Sequence, residues 1–367
     1  MDTVPTLYLG LDLGFGDVKL VAGLDSGPSE SAINPADTRE KHRQKILRKF
    51  PTAVAYAKDG IIGNLGDNER TYSFNGRKYI IGDSALQCRD VFSTRDINFL
   101  MTFSPLLSFA AVERLDRDDV KYLEVLQSCK KSVCLGVPLA YFHSKRSSLA
   151  EAVKVCHVSG VLINFAQVEI RAQGQGILFD FMFDENGRAI ERRLNMNILI
   201  VDIGFNTVDI LGVVNGSSNR EWSGMIERGG ISRICQQVGD YLQREFSFDL
   251  PEQSLKDVIT KREITLYGAK KDVSEVIRKA QEEYSDWLMQ EVRSRWDGFL
   301  QKADRMIIAG GGAYYVRDDF AEKYPKDFLY VPEKPEYSNA MGFYKYLEAK
   351  NHAQQDLQEG DDSALQP

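Results

Sequence analysis

One phrase is written twice in this chain. The first copy is Leu9-Gly10-Leu11-Asp12-Leu13-Gly14-Phe15-Gly16-Asp17-Val18-Lys19, and the second is Leu199-Ile200-Val201-Asp202-Ile203-Gly204-Phe205-Asn206-Thr207-Val208-Asp209. Asp12, Gly14, Phe15 and Val18 recur at matching offsets as Asp202, Gly204, Phe205 and Val208. Each copy is an apolar run, an acid, a glycine turn and a second apolar run, which predicts a β-hairpin. An acid held at a strand end beside exposed backbone N–H groups suits a magnesium-bound phosphate. Two such hairpins facing each other predict a clamp on a nucleotide tail, with one wall from each of two domains.

The bulk properties narrow the classes. A chain of 367 residues is long enough for two sizeable cores. Its 43% hydrophobic and 27% charged residues are ordinary for a globular protein. A net charge of −7 argues against a general nucleic-acid or membrane binder. The cysteines Cys88, Cys129, Cys134, Cys156 and Cys235 form no CxxC pair, and free thiols in a reducing compartment are expected. His143 and His157 lack metal-ligand spacing and are expected to be structural or surface residues. The start of the chain has no basic n-region, and its apolar run from Leu7 to Leu13 already contains Asp12, so no signal peptide is expected. No apolar run reaches the ~18 residues needed to span a bilayer. A cytoplasmic protein is the expectation.

Along the chain, Leu7–Leu24 reads as the first hairpin. Residues 25–49 are rich in Ser, Pro, Gly and charge, with Lys41-His42-Arg43-Gln44-Lys45 and Arg48-Lys49. They read as a mobile surface insertion, with a basic partner contact as the sharper alternative. A strand is expected over Phe50–Tyr56, and a hairpin over Tyr72–Gly82 around Asn75-Gly76. Phe103–Arg114 and Ser148–Cys156 read as helices, and Lys131–Pro138 and Val161–Glu169 as strands. A helical run to Phe183 and a turn at Asp184–Gly187 follow. A second domain opens near Asn197. Ile231–Phe246 is an amphipathic helix after Gly229-Gly230. Val273–Leu300 is a long helix whose aromatic stripe is expected to be core. Met306–Ala309 is a buried strand running into Gly310-Gly311-Gly312, and Ser338–Gly342 opens a last helix. The acidic stretch 351–367 lacks aromatics and reads as a disordered tail. Alternating strands and helices set the class as α/β.

The ordered set is now a hairpin with Asp12, a hairpin with Asp202, and strand-Gly-Gly-Gly ahead of a helix. It resembles the actin, Hsp70 and sugar-kinase superfamily, in which the three segments look like two phosphate motifs and an adenosine motif. The closest resemblance is to prokaryotic actin-like ATPases of the plasmid-segregation (ParM/StbA-like) group. It is supported by Phe50-Pro51-Thr52, Tyr79-Ile80-Ile81-Gly82 and Asn339-Ala340-Met341-Gly342. The resemblance covers residues 7–348. It implies two actin-like (ribonuclease H-like) domains flanking a nucleotide cleft. Domain I would take residues 1–196, with a small inserted subdomain at about 50–100 and a returning helix at 339–350. Domain II would take 197–338. The length of the 25–49 insertion and the acidic tail depart from the family pattern.

The resemblance also implies roles. Asp12 and Asp202 would hold Mg²⁺, mostly through its waters. Gly14, Phe15 and Gly16 would offer N–H groups to the β- and γ-phosphates, with Asp17 shaping the turn and Lys19 as a nearby cation. Gly204, Phe205, Asn206 and Thr207 would act from the other side. Gln173, in Arg171-Ala172-Gln173-Gly174, stands where the family places a residue that positions the attacking water, and Gln175 competes for that role. Gly229 and Gly230 resemble the loop near the ribose. Gly310, Gly311, Gly312 and Ala313 would let backbone approach the ribose and α-phosphate. Lys256–Arg262 is a candidate adenine wall. The expected ligands are ATP, with GTP left open, and Mg²⁺. The implied function is a slow ATPase whose subunits assemble head to tail into filaments and move plasmid or other cargo through a DNA-bound adaptor, without direct DNA or membrane binding. The alternatives are a small-molecule kinase and a non-polymerising ATPase scaffold on the same fold.

Overall fold

The computed structural model describes residues 4–25, 45–57, 70–92, 97–116, 129–250 and 252–364. The chain divides into two units: Met1–Leu194 with Tyr337–Pro367, and Asn195–Glu336.

In the first unit, β1 (Thr6–Leu13) is buried continuously from Leu7, the pattern of a central strand covered on both faces. It turns at Gly14–Gly16 into β2 (Asp17–Asp25), which pairs with β3 (Ile46–Pro51). The chain continues through β4 (Val54–Tyr56), β5 (Tyr72–Phe74), β6 (Arg77–Ile81), a short helix α1 (Asp83–Leu86) and β7 (Val91–Phe92). These strands make a separate four-stranded sheet in the order β5-β6-β4-β7. Asn75 and Gly76 have φ of 48° and 74°, the paired positive values of a tight hairpin turn. After α2 (Ile97–Glu113) come β8 (Lys130–Val137), α3 (Phe142–Lys154), β9 (Val155–Val158), β10 (Val161–Asn164), β11 (Gln167–Ala172), α4 (Gln175–Met182) and α5 (Glu191–Leu194). The main sheet has the order β11-β8-β1-β2-β3; β8 and β11 run parallel to β1, and β2 antiparallel.

The second unit repeats this plan. Its strands are β12 (Ile198–Ile203), β13 (Val208–Val214) and β14 (Ser217–Ile226), then α6 (Ser232–Phe246) and α7 (Glu252–Lys261). A hairpin of β15 (Glu263–Leu266) and β16 (Ala269–Asp272) leads to α8 (Ser274–Leu300), β17 (Arg305–Ala309), α9 (Arg317–Lys323) and β18 (Leu329–Tyr330). The sheet order is β14-β13-β12-β17-β18, with β17 parallel to β12. Tyr284, Leu288, Val292, Trp296 and Phe299 of α8 are buried in this unit's core, so the aromatic stripe is packing. The last helix, α10 (Ser338–Ala364), belongs to the first unit.

Several boundaries differ from the sequence reading. The strand expected at Phe50 begins at Ile46, so the insertion reaches no further than Lys45; residues 26–44 of it lie outside the described set. The basic residues at its end are used internally: Lys45 Nζ donates to Glu185 Oε2 at 2.6 Å, and Arg48 Nε to the Arg114 carbonyl at 3.1 Å. Helix α2 starts at Ile97 and carries Pro105 inside it. Helix α3 starts at Phe142 and yields to strand at Val155, because a Ser159-Gly160 turn (φ 53° and 79°) folds β9 onto β10. The stretch read as a disordered tail continues α10 as far as Ala364. All five cysteines are free, four of them buried. Among the described residues no helix is long and apolar enough to cross a membrane.

Helix α10 is seated where side chains have been removed. A Cβ at Gly10 would lie 1.9 Å from the Ala340 carbonyl oxygen, and one at Gly342 would lie 1.7 Å from that of Gly176. One turn further on, the buried Lys345 Nζ meets Asp180 Oδ1 at 2.8 Å, Glu185 Oε1 at 3.2 Å and the Phe183 carbonyl at 3.3 Å. Burial alone would push this ammonium's pKa down. The two carboxylates outweigh it and hold the pKa above the ordinary value of 10.5. Removing one partner of a buried pair leaves the other charge uncompensated. Lys345→Met should therefore cost about 3–5 kcal/mol in urea unfolding. A raised lysine pKa contributes stability below its unfolded value and loses it as pH rises through the folded one. The gap between wild type and Lys345→Met should then narrow above pH 10.5.

Candidate functional site

In the first unit, the sheet order brings three strand ends to one place. Asp12, near the end of β1, pairs across the hairpin with Lys19 and across the parallel ladder with Gly136. Gln173 follows β11, one strand beyond. Asp12 is 4% exposed and Gln173 8% exposed. The Gln173 Nε2 donates to Asp12 Oδ1 at 2.7 Å, and Lys19 Nζ lies 3.4 Å from Oδ2. Each oxygen of the carboxylate thus has a named partner. A buried carboxylate oxygen without a donor would cost its desolvation, and here neither oxygen lacks one. Gly136 makes room for this contact, since a Cβ there would lie 3.3 Å from the Gln173 Cγ and 2.7 Å from the Phe343 ring.

The turn Gly14-Phe15-Gly16 joins β1 to β2. A Cβ at Gly14 would come within 3.0 Å of the Asp17 carbonyl oxygen and 3.1 Å of Lys19 Nζ. Asp17 is the first residue of β2 and pairs with Pro51. Two bonds from Thr52 pin the turn: its hydroxyl donates to the Gly14 carbonyl at 2.6 Å, and its N–H to the Gly16 carbonyl at 3.0 Å. The Gln173 segment is pinned from α10, where Asn339 Oδ1 accepts the Gly174 N–H at 2.9 Å. Gln175 Oε1 accepts the Ala172 N–H at 3.1 Å, so of the two competing glutamines it is Gln173 that faces Asp12. Thr52 and Asn339 were not among the site residues read from sequence; the Phe50-Pro51-Thr52 and Asn339–Gly342 phrases held them, but as family markers only.

In the second unit, Asp202 sits near the end of β12, 7% exposed, opposite Asp209 on one side and Ala309 on the other. Where the first copy sets a lysine across from its acid, the second sets another acid. Asp209 Oδ2 accepts from the Thr207 hydroxyl at 3.2 Å. The turn Gly204–Thr207 is closed by Gly204 N–H to the Thr207 carbonyl at 2.9 Å. Its carbonyls receive the segment before α6: Gly230 N–H to Asn206, Ile231 N–H to Gly204, and Ser232 N–H to Phe205, at 3.1, 3.2 and 2.8 Å. The Gly229 carbonyl is taken by the Tyr284 hydroxyl at 2.8 Å. Lys256, at the start of the candidate adenine wall, lies 4.5 Å from the Phe205 ring centroid.

The glycine run after β17 wraps the same strand end. Gly310 has φ of 81°, and a Cβ there would lie 2.5 Å from both Asp202 Oδ1 and the Ile203 carbonyl oxygen, so only glycine fits. Gly312 N–H donates to the Ile203 carbonyl at 2.8 Å, and a Cβ on it would strike the Ile203 side chain at 2.1 Å. Gly311 faces open space, and Ala313 begins the next helical turn, buried.

The donors suit a hydrated hard cation beside phosphate. Among the described residues no three His, Cys, Asp or Glu side chains cluster as a metal cage. A cation here would instead be held by one or two carboxylates, waters and phosphate oxygens, the mode that suits Mg²⁺. The buried Asn206 Oδ1 in the second turn accepts no hydrogen bond within the described residues, a polar atom left for a ligand or its water.

Comparison with known proteins agrees with this architecture. Residues 10–176 match the family described as actin like proteins N terminal domain, and residues 200–322 match archaeal actin homologue MreB-like, C-terminal. Archaeal actin homologs from Thermoplasma volcanium and Thermoplasma acidophilum are each 23% identical over 358 residues, 92% of this chain and 97% of theirs. The crystal structure of an archaeal actin homolog superposes with a TM-score of 0.70 at 20% identity, covering 94% of this chain and 99% of that one. A complex of an archaeal actin homolog with ADP gives 0.67 at 19% identity, covering 93% and 99%. A 15-stranded ParM filament from Clostridium botulinum gives 0.68 at 17% identity, covering 94% and 99%. The fold is the actin fold. An actin-type family model thus matches each of the two units, and in fold the chain is similar to archaeal actin homologs and to ParM proteins.

The pinning of the first turn can be tested directly. Thr52→Val keeps the side chain's shape and removes the donor to the Gly14 carbonyl. It should cost about 1–3 kcal/mol in chemical denaturation. Amide hydrogen exchange should rise at residues 14–16 and stay unchanged in the second unit.

Proposed function

We propose that this chain is a Mg²⁺-dependent ATPase whose subunits assemble head to tail into filaments. The observation that carries the reading is the buried Gln173–Asp12 contact at 2.7 Å, beside a glycine turn and across from Lys19. The Gln173 amide uses its NH₂ on Asp12, which fixes its direction. Its Oε1 is then the atom that accepts a hydrogen bond from the attacking water. A neutral amide orients water and is too weak a base to remove its proton. Slow turnover follows, as suits a timer of assembly.

Phosphoryl transfer to water asks for positioning and charge neutralisation more than covalent work. Bound Mg²⁺ would neutralise charge on the β- and γ-phosphate oxygens. Asp12 and Asp202 would hold its waters, with Asp209 beside Asp202. The N–H groups of Gly14, Phe15, Gly16, Phe205 and Asn206 would bond phosphate oxygens, and Lys19 would add a positive charge next to the first turn. Gly229, Gly230, Gly310, Gly311, Gly312 and Ala313 supply the small surfaces against which a ribose and an α-phosphate pack. Filament assembly is supported by the filament-forming relatives, and movement of cargo through an adaptor is its proposed use. A small-molecule kinase would call for a carboxylate base near the acceptor, and the side chain facing Asp12 is an amide.

Two measurements test the reading. With ATP and Mg²⁺, pelleting and light scattering over a concentration series should show assemblies above a threshold. Intact nucleotide binding with no assembly at any concentration would refute the filament role. Gln173→Ala should slow hydrolysis by about 100-fold, the low end for a positioned proton-transfer group, while ATP affinity stays near wild type. Loss of binding instead would remove Gln173 from the water-positioning role.

A further inference from the structure

Three cations, Lys45, Arg48 and Lys49, stand at and just before β3. The fold uses two of them. Lys45 Nζ donates to Glu185 Oε2 at 2.6 Å, and the Arg48 guanidinium donates to the Arg114 and Leu47 carbonyls, each at 3.1 Å. Lys49 is different. It is exposed, and among the described residues no hydrogen bond, ion pair or ring contact holds its ammonium.

Register places this lysine beside the candidate site. Lys49 stands directly opposite Lys19 on β2, and Lys19 stands directly opposite Asp12 on β1. Residues opposite each other in a ladder share a face, with Cβ atoms about 5 Å apart. Asp12, Lys19 and Lys49 thus form one row across three neighbouring strands. In that row one carboxylate faces two ammoniums, and Lys19 Nζ is the one that lies 3.4 Å from it. Asp17, two positions away on β2, makes no ion pair with Lys49. Like charges directly opposite each other destabilise a ladder. An anion within reach of both ammoniums removes that cost.

The row also adjoins a turn that offers backbone N–H groups. A Cβ on Gly14 would lie 3.1 Å from Lys19 Nζ. Thr52, three residues after Lys49, holds the Gly14 and Gly16 carbonyls. A phosphate tail carries several anionic oxygens, enough to engage both ammoniums and the turn together. Lysine suits this task, because it is a point charge on a flexible stem and needs no fixed approach angle.

We propose that Lys49 is a second cation for a phosphate tail bound at the first turn, acting beside Lys19. The inference rests on the nucleotide-binding reading above and adds a binding residue outside both copies of the repeated phrase. The test titrates the full chain calorimetrically with ADP and Mg²⁺, with pyrophosphate and with adenosine. Four forms are compared: wild type, Lys49→Gln, Lys49→Arg and Lys302→Gln. Lys49→Gln should weaken ADP and pyrophosphate about tenfold, the scale of one charge-assisted hydrogen bond, and leave adenosine unchanged. The difference should shrink as salt is added, since exposed charges are screened. Lys49→Arg keeps the charge and should retain most of the affinity. Lys302 is an exposed lysine of the second unit, so Lys302→Gln changes net charge equally and should bind like wild type. Without ligand, the melting temperature of Lys49→Gln should equal or exceed wild type, because one of two facing charges is gone. Equal ADP affinity of Lys49→Gln and wild type would overturn the proposal and leave the nucleotide reading intact. Equal weakening of adenosine, or the same loss in Lys302→Gln, would overturn it as well. Wild type that binds pyrophosphate but no nucleotide, with Lys49→Gln weaker, would support the lysine's role and overturn the ATPase reading. Wild type that binds none of the three would overturn both.

Discussion

A carboxylate buried near the end of a fully apolar strand is the constraint around which the first unit is built. Asp12 lies in a run that is buried from Leu7 to Leu13 and is itself 4% exposed. A polar group buried in that position needs hydrogen-bond partners, because leaving one unmade costs its desolvation. Lys19 arrives through hairpin register and Gln173 through sheet order. Everything that fixes those two arrivals then becomes part of the site. Thr52 holds the turn, Asn339 holds the segment after β11, and Gly136 makes space between them. Helix α10 supplies Asn339 and Phe343, and its close seat on Gly10 and Gly176 is what sets their positions.

The second unit answers the same constraint differently. Its buried acid faces a second acid, Asp209, and no lysine stands across the hairpin. The same sheet plan thus sets an ammonium across from one buried acid and a second acid across from the other. The second turn is also held more by backbone than by side chains. Three N–H groups ahead of α6 bond its carbonyls, where the first turn relies on Thr52.

Much of this was legible along the chain, for reasons that are local. The hairpins at Asp12 and Asp202 follow from apolar runs flanking a glycine turn, and the hairpin at Asn75-Gly76 from turn chemistry. Helices α6 and α8 follow from apolar spacing after Gly229-Gly230 and from Val276 to Phe299. The errors fell where neighbours overrode composition. Ile46–Lys49 looked like charged surface, yet pairs with β2 because Arg48 finds the Arg114 carbonyl and Lys45 finds Glu185. Val155 and Cys156 looked like the end of a helix, yet they open the strand that folds onto Val161–Asn164. The acidic end of α10 continues the helix past Asn351, since charge and missing aromatics remove packing without forbidding helical backbone.

The sequence by itself determined the two hairpins, the acids at their strand ends and the glycines that only a tight backbone accepts. Those depend on neighbours a few residues away. What tertiary structure alone decided is which distant groups complete them. Gln173 and Asp12 are 161 positions apart and meet because β8 lies between β11 and β1. Gln173 meets the acid, while Gln175, the first residue of α4, accepts the Ala172 N–H at the end of β11. No local pattern encodes a contact that exists only once a third strand has been laid between its partners.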